Sequence, residues 1–170
     1  MSAERAHCLT GRGAKFRSFA DRHGAVVCGA VTTPAENKAL IVRFWAALAS
    51  RDFDAVGAFF APDGHYTDVP APEEGAYGPK EVADRLRLGI APLANYVLHD
   101  GPIVADGDMV ITEHHEEWFW ESGEHVDLPF VSVHEIRDGQ VVRWHDYFDL
   151  NTLLSVAPAA WLEHIMVGYK

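Results

Sequence analysis

Three hairpin-turn dipeptides, Asp106-Gly107, Ser122-Gly123 and Asp138-Gly139, recur at 16-residue intervals in the second half of the chain, with β-rich sequence between them. Such pairs supply the backbone conformations that a tight turn between antiparallel strands requires. The spacing predicts a four-stranded antiparallel meander. The segments between the turns do not resemble one another, so a solenoid is excluded.

Read as two-residue loops, the turns fix the register. Ser122-Gly123 pairs His114 with Val131, and Asp138-Gly139 pairs Val131 with Asp146. Because opposed residues share a face, His114, Glu116 and Trp118 fall with Trp144, Asp146 and Phe148 on one side of the sheet. His115, Glu117, His134 and His145 fall on the other, with Phe119, Phe130 and Tyr147. The side bearing Trp118, Trp120, Trp144 and Phe148 is the more apolar and is expected inward, with Val131 completing the wall of a substrate cavity.

Two carboxylates and an imidazole on an apolar inner face are costly to bury unless they neutralise one another or are held for chemistry. A satisfied core network without activity is the alternative. The histidines His115, His134 and His145 near Glu117 read as an exposed or dimer-facing polar cluster. No metal site is expected, since His115 and His145 stand two strands apart.

The first half is helical. Thr33-Pro34-Ala35-Glu36 combines a capping threonine, a proline in the first turn and a glutamate that completes a capping box. Ile41, Phe44, Trp45 and Leu48 follow on one helical stripe. A second helix is expected to begin at Asp52, turn Phe53, Val56, Phe59 and Phe60 inward, and stop at Pro62-Asp63-Gly64. A short extended piece over 65–70 and a loop over 71–78 lead to a third helix opened by Pro79, with Val82, Leu86 and Ile90 buried. Helices followed by a long-stranded sheet give an α+β layer. The ending, with Leu153, Leu154, Trp161, Leu162 and Ile165 around Pro158, reads as a helix packed on the core or as a cover for the pocket mouth or a partner.

The chain has 170 residues, which predicts one domain over 33–170. Residues 1–32 carry Arg5, Arg12, Lys15, Arg17 and Arg22 against Glu4 and Asp21, and read as a mobile basic extension; docking of this arm on the acidic domain is the alternative. The formal net charge of −11 disfavours nucleic acid and anionic lipid as partners. Two cysteines make no disulfide framework, and no apolar run approaches the ~18 residues of a membrane span. A cytoplasmic protein is expected. No glycine-rich nucleotide motif is present, and no cofactor is expected.

The segments Tyr66-Thr67-Asp68-Val69-Pro70 and Asp138-Gly139-Gln140-Val141-Val142-Arg143-Trp144-His145-Asp146-Tyr147-Phe148-Asp149 resemble the limonene-1,2-epoxide hydrolase family of the nuclear-transport-factor-2-like superfamily, which also holds polyketide cyclases and ketosteroid isomerases. The resemblance spans roughly residues 34–154. It implies a cone-shaped α+β fold, a curved, mostly antiparallel sheet enclosing a pocket with the helices, and commonly a homodimer, for which the outer sheet face would serve. It implies that Asp146 activates a water held also by Tyr66 and by Asp68, which stands where the family has asparagine, and that Trp144 flanks Asp146. Thr112-Glu113-His114-His115-Glu116 stands where the family has Thr-Glu-Arg-x-Asp, so His114 replaces a bridging arginine and Glu116 takes the acid position.

The function this implies is cofactor-independent hydrolysis of an epoxide on a small apolar substrate, of terpene, steroid or polyketide size, to a vicinal diol. Arginine is permanently charged and bidentate, whereas histidine titrates near neutrality. That change opens a second reading, a dehydratase, isomerase or cyclase in which His114 pairs with Asp68 or Asp146 as acid or base. A pocket that binds a hydrophobic ligand or a partner without catalysis is the third.

Overall fold

The computed structural model describes residues 32–168, so the expected N-terminal extension lies outside the described residues apart from Thr32. The first helix, α1 (Pro34–Ala49), starts as its sequence dictates: Thr33 Oγ1 accepts from the Glu36 amide, and the Glu36 carboxylate accepts from the Thr33 amide. Its buried stripe is the expected one, Ile41, Phe44, Trp45 and Leu48. Each fully buried apolar side chain of this kind contributes about 1.5–3 kcal/mol.

Helix α2 (Phe53–Ala58) is capped by Asp52 but is shorter than its apolar pattern suggests. Strand β1 (Phe60–Asp68) begins at once, and Pro62-Asp63-Gly64 lies inside it as a bulge rather than as a helix stop. The bulge needs glycine, because a Cβ at Gly64 would lie 2.6 Å from the Val141 carbonyl oxygen. Strand β2 (Ala76–Tyr77) leads into α3 (Gly78–Ile90), with Pro79 in the first turn and Val82, Leu86 and Ile90 buried as expected.

The meander is present with its first strand broken in two. Strands β3 (Asn95–His99) and β4 (Ile103–Asp106) pair with opposite ends of β5 (Met109–Phe119). The break falls at Asp100-Gly101-Pro102, where a Cβ on Gly101 would approach the Glu113 carbonyl oxygen to 1.9 Å. Strands β6 (His125–Arg137) and β7 (Gln140–Tyr147) complete it. The sheet order is β2-β1-β7-β6-β5-β3 with β4 also on β5, and β1 joins β7 in parallel. Helices α4 (Leu150–Val156) and α5 (Ala159–Gly168) close the chain. Among the described residues no helix is long and apolar enough to cross a membrane.

Two pairings differ from the sequence expectation by one residue each. His114 faces Phe130 and Ser132 faces Asp146. The first difference arises because Trp120 pairs with Glu124, leaving a three-residue loop in which Gly123 has φ +102°. At the other end of β6, Asp138 and Gly139 both have positive φ and form the expected two-residue turn, but Val142 bulges out of the β6 pairing just beyond it. The two slips cancel for β5 and β7, so His114, Glu116, Trp118, Trp144 and Asp146 share the inward face as expected. They do not cancel for β6. Val131 is 41% exposed on the outer face and is no part of a cavity wall, whereas Phe130, expected outside, is buried inside. His134 is likewise inward and fully buried, which removes it from the outer histidine cluster.

Candidate active site

A cavity of about 270 Å³ lies between the inward face of the sheet and helices α3, α4 and α5. Its polar wall consists of Tyr66, Asp68, Arg85, Glu116 and Asp146, with Glu73 from the loop after β1. Trp118, Trp144, Phe130 and Phe148 supply much of the apolar wall, and α4 and α5 add Leu153, Trp161, Leu162 and Ile165. The C-terminal helices therefore cover the pocket as well as packing on the core.

Asp146 is 3% exposed. Its Oδ1 accepts from the Ser132 hydroxyl and the Trp144 indole, both at 2.5 Å. Burial and the neighbouring Asp68 carboxylate raise its pKa well above the ordinary aspartate range, with Glu116 pushing the same way and the two donors opposing. Trp144, beneath the aspartate, stacks on Tyr66 with ring centroids 3.9 Å apart.

The parallel pairing of β1 with β7 sets Tyr66 beside Trp144 and Asp68 beside Asp146. The Tyr66 hydroxyl donates to Asp68 Oδ1 at 2.7 Å. Burial and the carboxylates Asp68 and Asp146 raise the phenol far above its usual value, so it stays protonated. Arg85 of α3 holds the other oxygen, Oδ2, through Nη2 at 2.8 Å and Nε at 3.3 Å.

Glu116 accepts from the Trp118 indole at 2.9 Å, and His114 Nε2 lies 3.4 Å from its other oxygen. The Tyr96 hydroxyl is raised by burial and by the charge of Glu116. His114 itself does not reach the cavity. Its ring is packed between Trp45, at 4.4 Å, and Phe130, stacked at 5.4 Å.

Of the residues expected from sequence, Asp146, Glu116, Tyr66, Asp68, Trp144, Trp118 and Phe148 meet on one cavity; His114 stands behind it and Val131 lies on the far side of the sheet. Sequence reasoning missed Arg85 and Ser132. Arg85 carried a signal, since it falls three residues after Val82 on the buried stripe of α3, where a charge needs a partner. Ser132 carried one only once the register of β6 is right. On the outer face, Glu117 bridges His99 at 2.7 Å and His125 at 2.9 Å. Among the described residues no group of three or more His, Cys, Asp or Glu side chains is placed to hold a metal ion.

Residues 41–144 match the model of the SnoaL-like domain. The chain belongs to that family. Solved structures like this SnoaL-like domain include an LEH-like epoxide hydrolase of M. tuberculosis, 25% identical, with 79% of this chain and 92% of that one covered at a TM-score of 0.60. A protein with a ketosteroid isomerase-like fold from Catenulispora acidiphila is 23% identical, with 76% of this chain and 98% of that one covered and a TM-score of 0.63. A protein of Shewanella putrefaciens described as a SnoaL-like polyketide cyclase is 18% identical, with coverage of 73% and 96% and a TM-score of 0.63. These likenesses show the nuclear-transport-factor-2-like α+β cone that the family resemblance implied.

Proposed function

We propose that this SnoaL-like domain hydrolyses an epoxide on a small apolar substrate to a vicinal diol, using its own carboxyl groups as acid and base. The observation that carries the reading is the placement of Asp146 and Glu116 on one wall of an apolar cavity, with the Tyr66–Asp68 pair beside Asp146. A water seated among Tyr66, Asp68 and Asp146 gives a proton to Asp146 as its oxygen bonds to an oxirane carbon. The carbon–oxygen bond opposite breaks, and Glu116 protonates the departing oxygen.

Burial and the Asp68 charge raise the pKa of Asp146, so this carboxyl takes up a proton more readily than an ordinary aspartate does. A base with a raised pKa is also the stronger acceptor once ionised.

A second reading, proton removal beside a carbonyl as in an isomerase, dehydratase or cyclase, is supported by the SnoaL-like match and by the cyclase-like neighbour. Its base would be Asp146 or Glu116. An imidazole base acting on substrate is disfavoured by the burial of His114 behind Glu116. The third reading, ligand binding without turnover, needs only the apolar wall.

Incubation with a panel of epoxides in ¹⁸O-water separates the three. Label in a diol, lost by 10²-fold or more in Asp146→Asn, is the expected result. Turnover of enones or β-hydroxy ketones instead favours the second reading, and saturable binding with no turnover on either panel favours the third.

A further inference from the structure

Hydrolysis as proposed requires an ionised Asp146, yet β1 sets a second carboxylate, Asp68, in register beside it, and β5 adds Glu116 to the same wall. Like charges grouped in an apolar cavity suppress one another's ionisation unless a cation intervenes. Position 114 on β5 supplies no permanent charge. The fixed positive charge arrives from a different element, helix α3.

We infer that Arg85 is the positioning residue of this site: it pairs with the Asp68 carboxylate, thereby aims the Tyr66 hydroxyl, and counters part of the charge that Asp68 imposes on Asp146. The catalytic consequence rests on the hydrolytic reading; the charge balance does not. The geometry carries the assignment. Two guanidinium hydrogen bonds go to Asp68 Oδ2, and Oδ1 is taken by the Tyr66 hydroxyl at 2.7 Å. The Arg85 side chain is 7% exposed, and its guanidinium carbon lies 5.6 Å from the centre of the Tyr66 ring, so it braces both partners.

With its proton committed to Asp68, the Tyr66 oxygen has only lone pairs to offer the cavity. A water there gives one hydrogen to Tyr66 and the other to Asp146, which turns its own lone pair toward the substrate. An ionised Asp68 is what makes this orientation one-way. A neutral Asp68 could donate to the tyrosine, reverse the phenol and present its hydrogen to the water instead.

The groups around Asp146 are Asp68 and Tyr66 from β1, Glu73 from the following loop, Arg85 from α3, Tyr96 from β3, His114 and Glu116 from β5, Ser132 and His134 from β6, and Trp144 on its own strand. Among them Arg85 is the permanent cation. Its removal and the removal of Asp68 should therefore move Asp146 in opposite directions.

The test is a charge square. The pH dependence of epoxide opening, and the carboxyl ¹³C resonance of Asp146 in protein labelled at aspartate, are followed in the wild type, Arg85→Gln, Asp68→Asn and the double variant. Arg85→Gln should shift the Asp146 titration to higher pH by about one unit, and Asp68→Asn to lower pH by a similar amount. The double variant should return it to within a few tenths of a unit of the wild type, and Arg85→Lys should hold it near the wild type.

Single variants that leave the titration unmoved, or a double variant that fails to restore it, overturn the inference. If Arg85→Gln does not fold while the double variant does, the rescue is itself the expected compensation. If neither folds, Asp68→Asn decides, and an unmoved titration there overturns the assignment. A resonance that moves as expected in a protein that opens no epoxide refutes the hydrolytic reading and leaves the charge role of Arg85 standing.

Discussion

Ser132 and Asp146 face each other directly across β6 and β7, and the serine hydroxyl donates to Asp146 Oδ1 at 2.5 Å. This bond and the one from Trp144 favour the ionised form against burial and against the Asp68 charge. Ser132→Ala removes one of the two donors. The limb on which the rate rises with pH should move alkaline by about half a unit to one unit, with little change in the rate on the plateau. A pH–rate profile checks this, and an unmoved limb removes Ser132 from the control of the base.

His114 and Glu116 approach to 3.4 Å, and the imidazole is walled off from the cavity. His114→Phe keeps the packing between Trp45 and Phe130 while deleting the contact with Glu116. The expected result is a fall in kcat of about tenfold with KM nearly constant, less than the 10²–10⁴-fold effect of losing a general base. A loss as deep as that of Asp146→Asn would put the imidazole in the chemistry itself.

His134 is fully buried, with its ring lying flat against Trp144 at 5.8 Å, and burial lowers its pKa from 6.5 to about 3. The unfolded chain takes up a proton that the folded chain refuses. Its contribution to stability is therefore complete above pH 6.5 and is lost as pH falls toward 3, a loss on the order of 5 kcal/mol. Asp146 has the opposite sign: its raised value favours the folded state at low pH, an advantage lost as pH rises through that value. Urea denaturation of the wild type and His134→Gln across this range isolates the histidine, and the variant should show the shallower acid decline.

Leu162 and Ile165 bring α5 onto the cavity wall. Ile165→Trp should fill part of the chamber, raising KM for bulky substrates tenfold or more while leaving small ones nearly unaffected. Because Ile165 is only partly buried, the melting temperature should change by only a few degrees. Equal loss for small and large substrates would remove α5 from substrate selection.

The outer face of the sheet exposes Ile111, Val131 and Tyr147. We expect this face to join a second copy of the chain, and sedimentation at micromolar concentration should find a dimer that Tyr147→Glu displaces toward monomer. A monomeric wild type under those conditions overturns the expectation.

How much of this was legible in the sequence follows from the kind of signal each element carries. Helix α1 and its cap could be read outright, because a capping box and a four-residue apolar stripe depend only on neighbours along the chain. The grouping of Glu116 with Asp146 was also legible, although by way of two slips that offset each other. What sequence patterning could not show was the β1–β7 pairing from residue spacing alone, since a parallel partner far away in the chain leaves no turn to count from. Arg85 reaches Asp68 only because α3 packs on β1, a tertiary event. His134 and Phe130 lie on the opposite side from the one that spacing predicts, because the loop at Gly123 holds three residues where the Ser122-Gly123 dipeptide suggests two, and polarity makes an outward histidine plausible.

Val142, the residue that bulges out of the β6 pairing, has a consequence for how such a chain can change. It sets the parity of β7: left out of the ladder, it lets Trp144 and Asp146 point into the chamber, whereas drawn into the ladder as a paired residue it would rotate His145 and Tyr147 inward in their place. A strand of the same length without the bulge would wall the chamber with imidazole and phenol instead of carboxylate and indole. New chemistry on this scaffold is therefore reachable by changing how many residues pair at a strand's edge, without replacing any side chain at the centre.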